Sequence, residues 1–189
     1  MESTQASSRL VTRQAFVTHQ VTSDTTPDAN RGDVKGCYLL IFRLDAPLRQ
    51  LTIGRFGSFD FSPGYYLYVG SAMGSGGISA RLAYHQRRHK DHPHWHVDYL
   101  RPYMGLVEAW TIGTQERLEC VWCQSLTRIP VLSTPVLGFG SRDTGCPTHL
   151  FYTGQRPGLR MLTSTLLASL SLEQEQEHEL RIEISTFDE

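Results

Sequence analysis

The sequence predicts a single α/β domain, and three observations support this fold class. The chain of 189 residues has the length of one domain with additional segments at its ends. Its content of 40% hydrophobic and 20% charged residues is typical of a soluble globular protein and excludes collagen-like, coiled-coil and fully disordered classes. Strand-like runs alternate with helix-like segments in the middle of the chain. We therefore expect the domain to occupy residues 35–154.

The two ends of the chain differ in composition from the middle. Residues 1–34 are rich in Ser, Thr, Gln and Asp without an apolar period, so we expect a disordered tail. Residues 155–189 carry a net charge of −4, and we expect a helix over Met161–Leu172 followed by an acidic tail. No apolar run is long enough to cross a bilayer, and no secretory signal is present. We expect a cytoplasmic protein with no membrane partner.

Aromatic and β-branched runs that end at turn residues predict the strands. The run Gly36–Leu44 stops at Asp45-Ala-Pro47 and predicts a buried strand followed by a turn. After the turn Pro63-Gly64, the aromatic run Tyr65–Gly70 predicts a half-buried strand. The remaining strand candidates are the short runs 51–54 and 56–61 and the segment Val107–Ile112.

The segment His94–Leu100 alternates in polarity and predicts a further strand. The alternation places His94, His96 and Asp98 on one face. Such a row supplies either ligands for a metal or a hydrogen-bonded support for neighbouring groups, and the sequence leaves both interpretations open.

A glycine-rich loop over residues 70–77 precedes a predicted helix over Ile78–Lys90. The helical period places Arg81, His85 and His89 on one face, with Arg88 beside them. Backbone N–H groups at a helix N-terminus, together with an arginine in the first turns, favour a phosphate ligand. The alternative is that the glycines only permit close packing.

The ordered set of these motifs resembles the GIY-YIG nuclease superfamily, and more closely its Uri-type, DUF123-like subgroup. The resemblance covers residues 35 to 153. Its motifs are Gly36-Cys37-Tyr38, the stretch from Pro63 to Ala72 with Tyr68-Val69-Gly70, Arg81 with His85, His94 to Leu100, Gly138-Phe-Gly140 with Asp143, and His149-Leu-Phe151. It implies a fold of the α+β type, with a small antiparallel sheet flanked by helices and an inserted hairpin over 51–61.

The resemblance also implies hydrolysis of phosphodiester bonds with one Mg²⁺ or Mn²⁺ ion. Tyr38 corresponds to the tyrosine that helps to activate the attacking water, and Tyr68 to its companion. Arg81 corresponds to the arginine that stabilises the phosphate, and His85 to an auxiliary general base or a phosphate contact. Glu119, on a helix predicted over 115–126, corresponds to the metal-binding carboxylate, with Glu116 and Glu108 as competitors. The substrate contacts that we expect beside these are Gly70, Ser71, Arg88 and His96.

The spacing Cys120-x-x-Cys123 and Cys146-x-x-His149 has the ligand types of a structural zinc site. Ordinary buried free cysteines are the alternative. With four cysteines in a chain of this length, we expect thiols or a metal rather than disulfides.

These expectations lead to three functional hypotheses. The first is a metal-dependent endonuclease that acts on DNA in preference to RNA, as the resemblance implies. The second is a module that binds nucleic acid without cleaving it, in association with a DNA repair or mobile-element partner. The third is a zinc-stabilised interaction domain. Residues 36–154 carry a net charge of +3, which suits either an anionic partner or an ordinary solvated surface.

Overall fold

The computed structural model describes residues 17–21, 33–170 and 181–187. No helix in these ranges has the length and apolar character needed to cross a membrane. The elements in chain order are β1 Val17–Val21, β2 Gly36–Leu44, β3 Leu48–Ile53, β4 Gly57–Phe61, β5 Gly64–Ser71, α1 Gly77–Gln86, α2 His96–Leu100, a 3₁₀ turn Arg101–Tyr103, β6 Gly105–Gly113, α3 Glu119–Thr127, β7 Leu150–Thr153, α4 Leu159–Ala168 and β8 Ile182–Thr186.

The main sheet has the strand order β1-β8-β6-β2-β5-β7. The five strands from β8 to β7 are antiparallel to their neighbours, and β1 pairs with β8 in parallel. β3 and β4 pair separately as a two-stranded hairpin, the insertion that the sequence predicts. The predicted α+β architecture with an antiparallel sheet and flanking helices is therefore confirmed.

The two faces of the central strand β2 belong to two different cores because successive side chains alternate across a sheet. Cys37, Leu39 and Ile41 pack with residues of α3 and α4. Tyr38, Leu40 and Phe42 pack with residues of α1 and α2 on the opposite side. We call these sides the α3 face and the α1 face. The adjacent strand β5 follows the same rule, with Tyr68 on the α1 face.

The strand predicted over His94–Leu100 is wrong, because His96–Leu100 is the short helix α2. The Asp98 carboxylate accepts hydrogen bonds from the backbone N–H groups of His94, at 2.8 Å, and Trp95, at 2.9 Å. A side chain that bonds to the backbone immediately before it starts a helix, and this local preference overrides the polar alternation. The expected row of His94, His96 and Asp98 on one strand face therefore does not form.

Three predicted helices and the two expected tails also need correction. α1 ends at Gln86 instead of Lys90, and α3 begins at Glu119 instead of Gln115. The last helix, α4, spans Leu159–Ala168 instead of Met161–Leu172. Val17–Val21 form a strand within the segment expected to be disordered, and Ile182–Thr186 form a strand within the expected acidic tail. β1 pairs with β8, and β8 also pairs with β6. This long-range sheet pairing makes strands of two segments whose own composition is polar. The rest of residues 1–32, and residues 171–180 with the polar continuation of the last helix, lie outside the described residues.

Candidate functional site

The site begins with two tyrosines on neighbouring strands of the α1 face. In the β2–β5 register, Tyr38 lies opposite Gly70, and Tyr68 lies opposite Leu40. Both tyrosine side chains are almost completely buried. Gly70 allows the ring of Tyr38 to lie across the neighbouring strand, since a Cβ atom at residue 70 would be 2.6 Å from Tyr38 Cε2. The predicted role of Gly70 in substrate contact is therefore accompanied by a packing role that positions Tyr38.

His85 comes from α1 and joins the tyrosines through a hydrogen bond. The distance between Tyr38 Oη and His85 Nε2 is 3.0 Å. Burial, followed by the charge of Lys90, lowers the pKa of His85 to about 3, so the imidazole is neutral at physiological pH. Burial and the neighbouring Tyr68 raise the pKa of Tyr38, which stays protonated. The tautomer of neutral His85 decides whether Tyr38 Oη or His85 Nε2 is the donor in this hydrogen bond, and His85 Nδ1 is buried without a hydrogen-bond partner in the described part of the chain.

Arg81 lies one helical turn before His85 and is partly exposed. Its guanidinium carbon lies 4.5 Å from the centre of the Trp95 ring, a cation–π contact. The positive charge of Arg81 acts on both tyrosines, since it partly offsets the increase in their pKa that burial causes. Arg81 therefore brings a fork of hydrogen-bond donors next to the Tyr38–His85 pair.

Asp98 organises the segment that carries Trp95. Its carboxylate accepts hydrogen bonds from Lys90 Nζ at 2.7 Å and from Tyr84 Oη at 2.8 Å, in addition to the two backbone donors before α2. Burial raises the pKa of Asp98, but these hydrogen bonds outweigh burial and hold the pKa below its ordinary value. Asp98 is thus an ionised, fully engaged structural group. Sequence reasoning missed the contact of Trp95 with Arg81, whereas the hydrogen-bonded support that it offered as one interpretation of the His94–Leu100 motif describes Asp98.

The remaining predicted substrate contacts divide into two groups. His96 lies near the tyrosines, because its Nδ1 accepts a 3.1 Å hydrogen bond from the backbone of Gly140, a residue that borders Tyr68. Its ring also stacks on Phe56 at 4.4 Å. Ser71 is the half-buried last residue of β5. Arg88 is exposed beyond the end of α1, so the helical period that placed it beside Arg81 does not apply.

Glu119 does not join the site, which corrects its predicted role as a metal ligand. It belongs to the first turn of α3, whose residues Leu118 and Trp122 pack on the α3 face. Its charge acts on the pKa of Cys37 and Cys123, on that same face. The sheet therefore separates Glu119 from Tyr38, because one strand position changes the face to which a side chain points.

The other acids that the sequence offers for the metal site differ in their surroundings. Asp98 uses its carboxylate oxygens for hydrogen bonds, whereas Asp143 is exposed on the loop before β7 and its charge acts on Tyr68. Of the two competitors, Glu108 bonds to Trp110 and Arg156, and Glu116 is exposed before α3. Mg²⁺ is usually held by one or two carboxylates together with water and substrate phosphate oxygens. Of the two acids that act on Tyr68, Asp98 is fully engaged in hydrogen bonds, so Asp143 is the remaining carboxylate that could hold an ion there.

The four predicted zinc ligands come together on the α3 face. The ligand atoms of Cys123, Cys146 and His149 all lie within 4.8 Å of one another, and the three residues are buried. Cys120 forms a disulfide with Cys146, with the Cα atoms 5.8 Å apart. This pairing corrects the expectation that the cysteines form no disulfide, because α3 and the loop before β7 place two distant residues at bonding distance. The Cys/His cluster that the spacing predicts is present.

Comparison with known proteins identifies one family. The family described as DUF123, a domain of unknown function, matches residues 37–172. No curated protein and no solved structure gives a significant match.

Proposed function

The chain belongs to the DUF123 family, and on this premise we propose that the domain hydrolyses phosphodiester bonds in nucleic acid, in DNA rather than RNA. The motifs around Tyr38, Tyr68, Arg81 and His85 resemble those of the GIY-YIG nucleases, and that resemblance supports the reaction class. The single observation that carries the proposal is the buried hydrogen bond between Tyr38 Oη and neutral His85 Nε2, with Arg81 beside it. A proton acceptor, a hydroxyl relay and a phosphate-binding cation are thus adjacent.

In the proposed reaction, Arg81 binds the non-bridging oxygens of the scissile phosphate and neutralises the charge that develops there. A water molecule attacks phosphorus. Tyr38 Oη accepts a proton from that water while passing its own proton to His85 Nε2. The bond from phosphorus to the leaving oxygen breaks, and the leaving oxygen takes a proton from solvent. This step uses the Nδ1–H tautomer of His85, which leaves Nε2 as the acceptor. Burial makes neutral His85 a weak proton acceptor, and the negative charge of a bound phosphate beside it would raise its pKa toward the working range.

We assign no step to Mg²⁺ or Mn²⁺, because among the described residues only the exposed carboxylate of Asp143 remains to hold the ion beside the tyrosines. This same observation favours a second candidate function, a module that binds nucleic acid through Arg81 without cleaving it. The two functions share the phosphate contact and differ in the fate of the bound strand. A cleavage assay with catalytic and binding variants therefore separates them.

The test uses the purified full chain with single-stranded, duplex, flapped and branched DNA and matched RNA, each with Mg²⁺, with Mn²⁺ or with a chelator. We expect cleavage of at least one DNA substrate. Arg81→Ala should weaken binding and reduce the cleavage rate by about 100-fold or more. Tyr38→Phe should retain binding and reduce the rate by about 100- to 10,000-fold. The matched control is Arg128→Ala, which removes an exposed arginine at the end of α3.

Three results decide between the alternatives. Binding that depends on Arg81, without cleavage under any condition, supports the binding module and refutes the nuclease. Cleavage that survives both Arg81→Ala and Tyr38→Phe refutes the site. Equal loss of binding in the Arg81 and Arg128 variants indicates a general charge effect instead of a phosphate site.

A further inference from the structure

The Cys/His cluster lies apart from the proposed phosphodiester site, and two elements build it. The first turns of α3 carry Cys120 and Cys123. The loop before β7 carries Cys146, and His149 is the last residue of this loop. Cys123, Cys146 and His149 have their ligand atoms within 4.8 Å of one another, and Cys120 is bonded to Cys146. All four candidate ligand atoms therefore converge on one position.

We propose that Cys120, Cys123, Cys146 and His149 bind one Zn²⁺ ion when the cysteines are reduced, and that the Cys120–Cys146 disulfide is the oxidised form of the same site. Cys146 cannot hold both a disulfide bond and the metal. Zinc binding and the disulfide therefore exclude each other. The inference is independent of the proposed nuclease function.

The geometry requires only small side-chain movements. In a tetrahedral site with zinc bonds of about 2.0–2.3 Å, neighbouring ligand atoms lie roughly 3.3–3.8 Å apart. The cluster of Cys123, Cys146 and His149 is already close to that size. Reduction would separate the two bonded sulfurs and would leave three thiols and one imidazole facing one buried position. Three thiolates and a histidine form one of the common structural zinc sets.

Two neighbouring groups bear on the site. Glu119 is buried beside the cluster, with its Oε2 atom unpartnered in the described residues. Its Oε1 atom lies 4.0 Å from Arg117, and its charge acts on both Cys123 and His149. In addition, Thr144 Oγ1 lies 3.0 Å from His149 Nε2. Metal-binding histidines are usually held by such a hydrogen bond from their other ring nitrogen.

The loop that carries the cluster also borders the proposed phosphodiester site. Gly140 packs against Tyr68 on one side, and a Cβ atom there would be 3.3 Å from His149 Cβ on the other. The His149 N–H donates to Phe139 at 2.8 Å, and the Gly138 N–H donates to Pro147 at 2.7 Å. The loop is thus folded back on itself between the Cys/His cluster and the proposed phosphodiester site. A change between zinc and disulfide would act directly on this loop.

The oxidation balances with hydrogen peroxide as the oxidant. The Cys120 and Cys146 thiols lose two electrons and two protons, and a sulfur–sulfur bond forms. The peroxide O–O bond breaks, and two water molecules are released. In the zinc-bound form the Cys120 and Cys146 thiolates lose the two electrons, the two protons for the water molecules come from solvent, and one Zn²⁺ leaves for each disulfide that forms.

The experiment compares the reduced and the peroxide-treated full chain by metal analysis and by mass spectrometry of peptides. The reduced chain should bind one Zn²⁺ per molecule, and Co²⁺ in its place should give the visible spectrum of a tetrahedral thiolate site. The oxidised chain should bind none and should yield the linked Cys120 and Cys146 peptides. Cys123→Ser should abolish zinc binding and retain the disulfide. The matched control is Cys37→Ser, at the other free buried cysteine, which should retain both.

A second variant tests the ligand geometry without removing a ligand. Thr144→Val deletes the hydroxyl that bonds to His149 and should weaken Zn²⁺ affinity about 10- to 100-fold. A reduced wild-type chain that binds no zinc overturns the proposal, as does an oxidised chain that retains zinc at full stoichiometry. Equal zinc binding by the Cys123→Ser variant and the wild-type chain would exclude this ligand set. Because the wild-type comparison requires no substitution, a failure of any variant to fold leaves the test decisive.

Discussion

His85 makes the stability of the protein depend on pH in a way that one substitution can isolate. The imidazole is buried between Tyr38 and Tyr68, with Lys90, Arg81 and Arg101 as the cations and Asp98 as the anion that act on it. Burial lowers its pKa to about 3 in the folded chain, against about 6.5 in the unfolded chain. The substitution His85→Gln removes the titration and keeps an acceptor that Tyr38 Oη can reach.

The sign of the effect follows from proton binding. Below about pH 6.5 the unfolded chain takes up a proton on His85 and the folded chain does not, so acid favours unfolding until the folded pKa is reached. The loss approaches about 1.4 kcal/mol per pH unit in that window. Between about pH 7 and about pH 5 the integrated loss is about 2 kcal/mol. This figure depends on the unfolded pKa and requires only that the folded pKa lie well below 5.

The assay is urea denaturation of the wild-type, His85→Gln and His89→Gln chains across that pH range, with tryptophan fluorescence as the measure of unfolding. His89 is exposed, so its variant should keep the wild-type pH dependence. We expect the wild-type chain to lose about 2 kcal/mol more than the His85→Gln chain between about pH 7 and about pH 5. Identical pH profiles for these two chains would refute the conclusion that the fold holds His85 neutral, and with it the acceptor role in the proposed reaction.

Two further predictions concern the groups that position this site. Gly70→Ala places a methyl group 2.6 Å from Tyr38 Cε2 and should reduce the unfolding free energy by about 1–3 kcal/mol. The control is Gly74→Ala, whose Cβ would lie 3.5 Å from Arg81 and which should reduce the unfolding free energy less. Equal losses for the two variants in urea denaturation would contradict the packing argument. Asp98→Asn removes the partner of Lys90, whose side chain is 6% exposed, and should cost about 3–5 kcal/mol. The exposed pair of Asp60 with Arg49 supplies the control, because Asp60→Asn should change thermal stability little.

Local sequence patterns predicted an element correctly where the tertiary packing favours the same conformation as the local sequence does. The apolar run Gly36–Leu44 is a strand with the predicted bounds, because nearly all its side chains are buried on one face or the other. The short runs around residues 51–61 form the predicted hairpin. The prediction for His94–Leu100 was wrong, because the alternation of such a short segment is compatible with both a strand and a helix. The hydrogen bonds of Asp98 to the backbone of His94 and Trp95 select the helix.

The proposed phosphodiester site shows a similar division. The motifs singled out Tyr38, Tyr68, Arg81 and His85, and the fold brings these four residues to one region of the α1 face. Trp95 and Gly140 reach this region from loops, and loop positions have no period from which a contact can be inferred. Glu119 was misplaced because a position on a helix does not specify which side of the sheet that helix covers.

By itself, the sequence determined the chemistry that the protein carries: the strands of the central sheet, a tyrosine–histidine–arginine set, and a group of cysteines with a histidine at metal-ligand spacing. These features are local, since residue type, alternation and spacing depend on the nearest neighbours along the chain. The tertiary structure alone decided which groups meet. It separated Glu119 from Tyr38 by the thickness of a β-sheet and joined Cys120 to Cys146, because such contacts depend on strand order and helix placement across long stretches of chain.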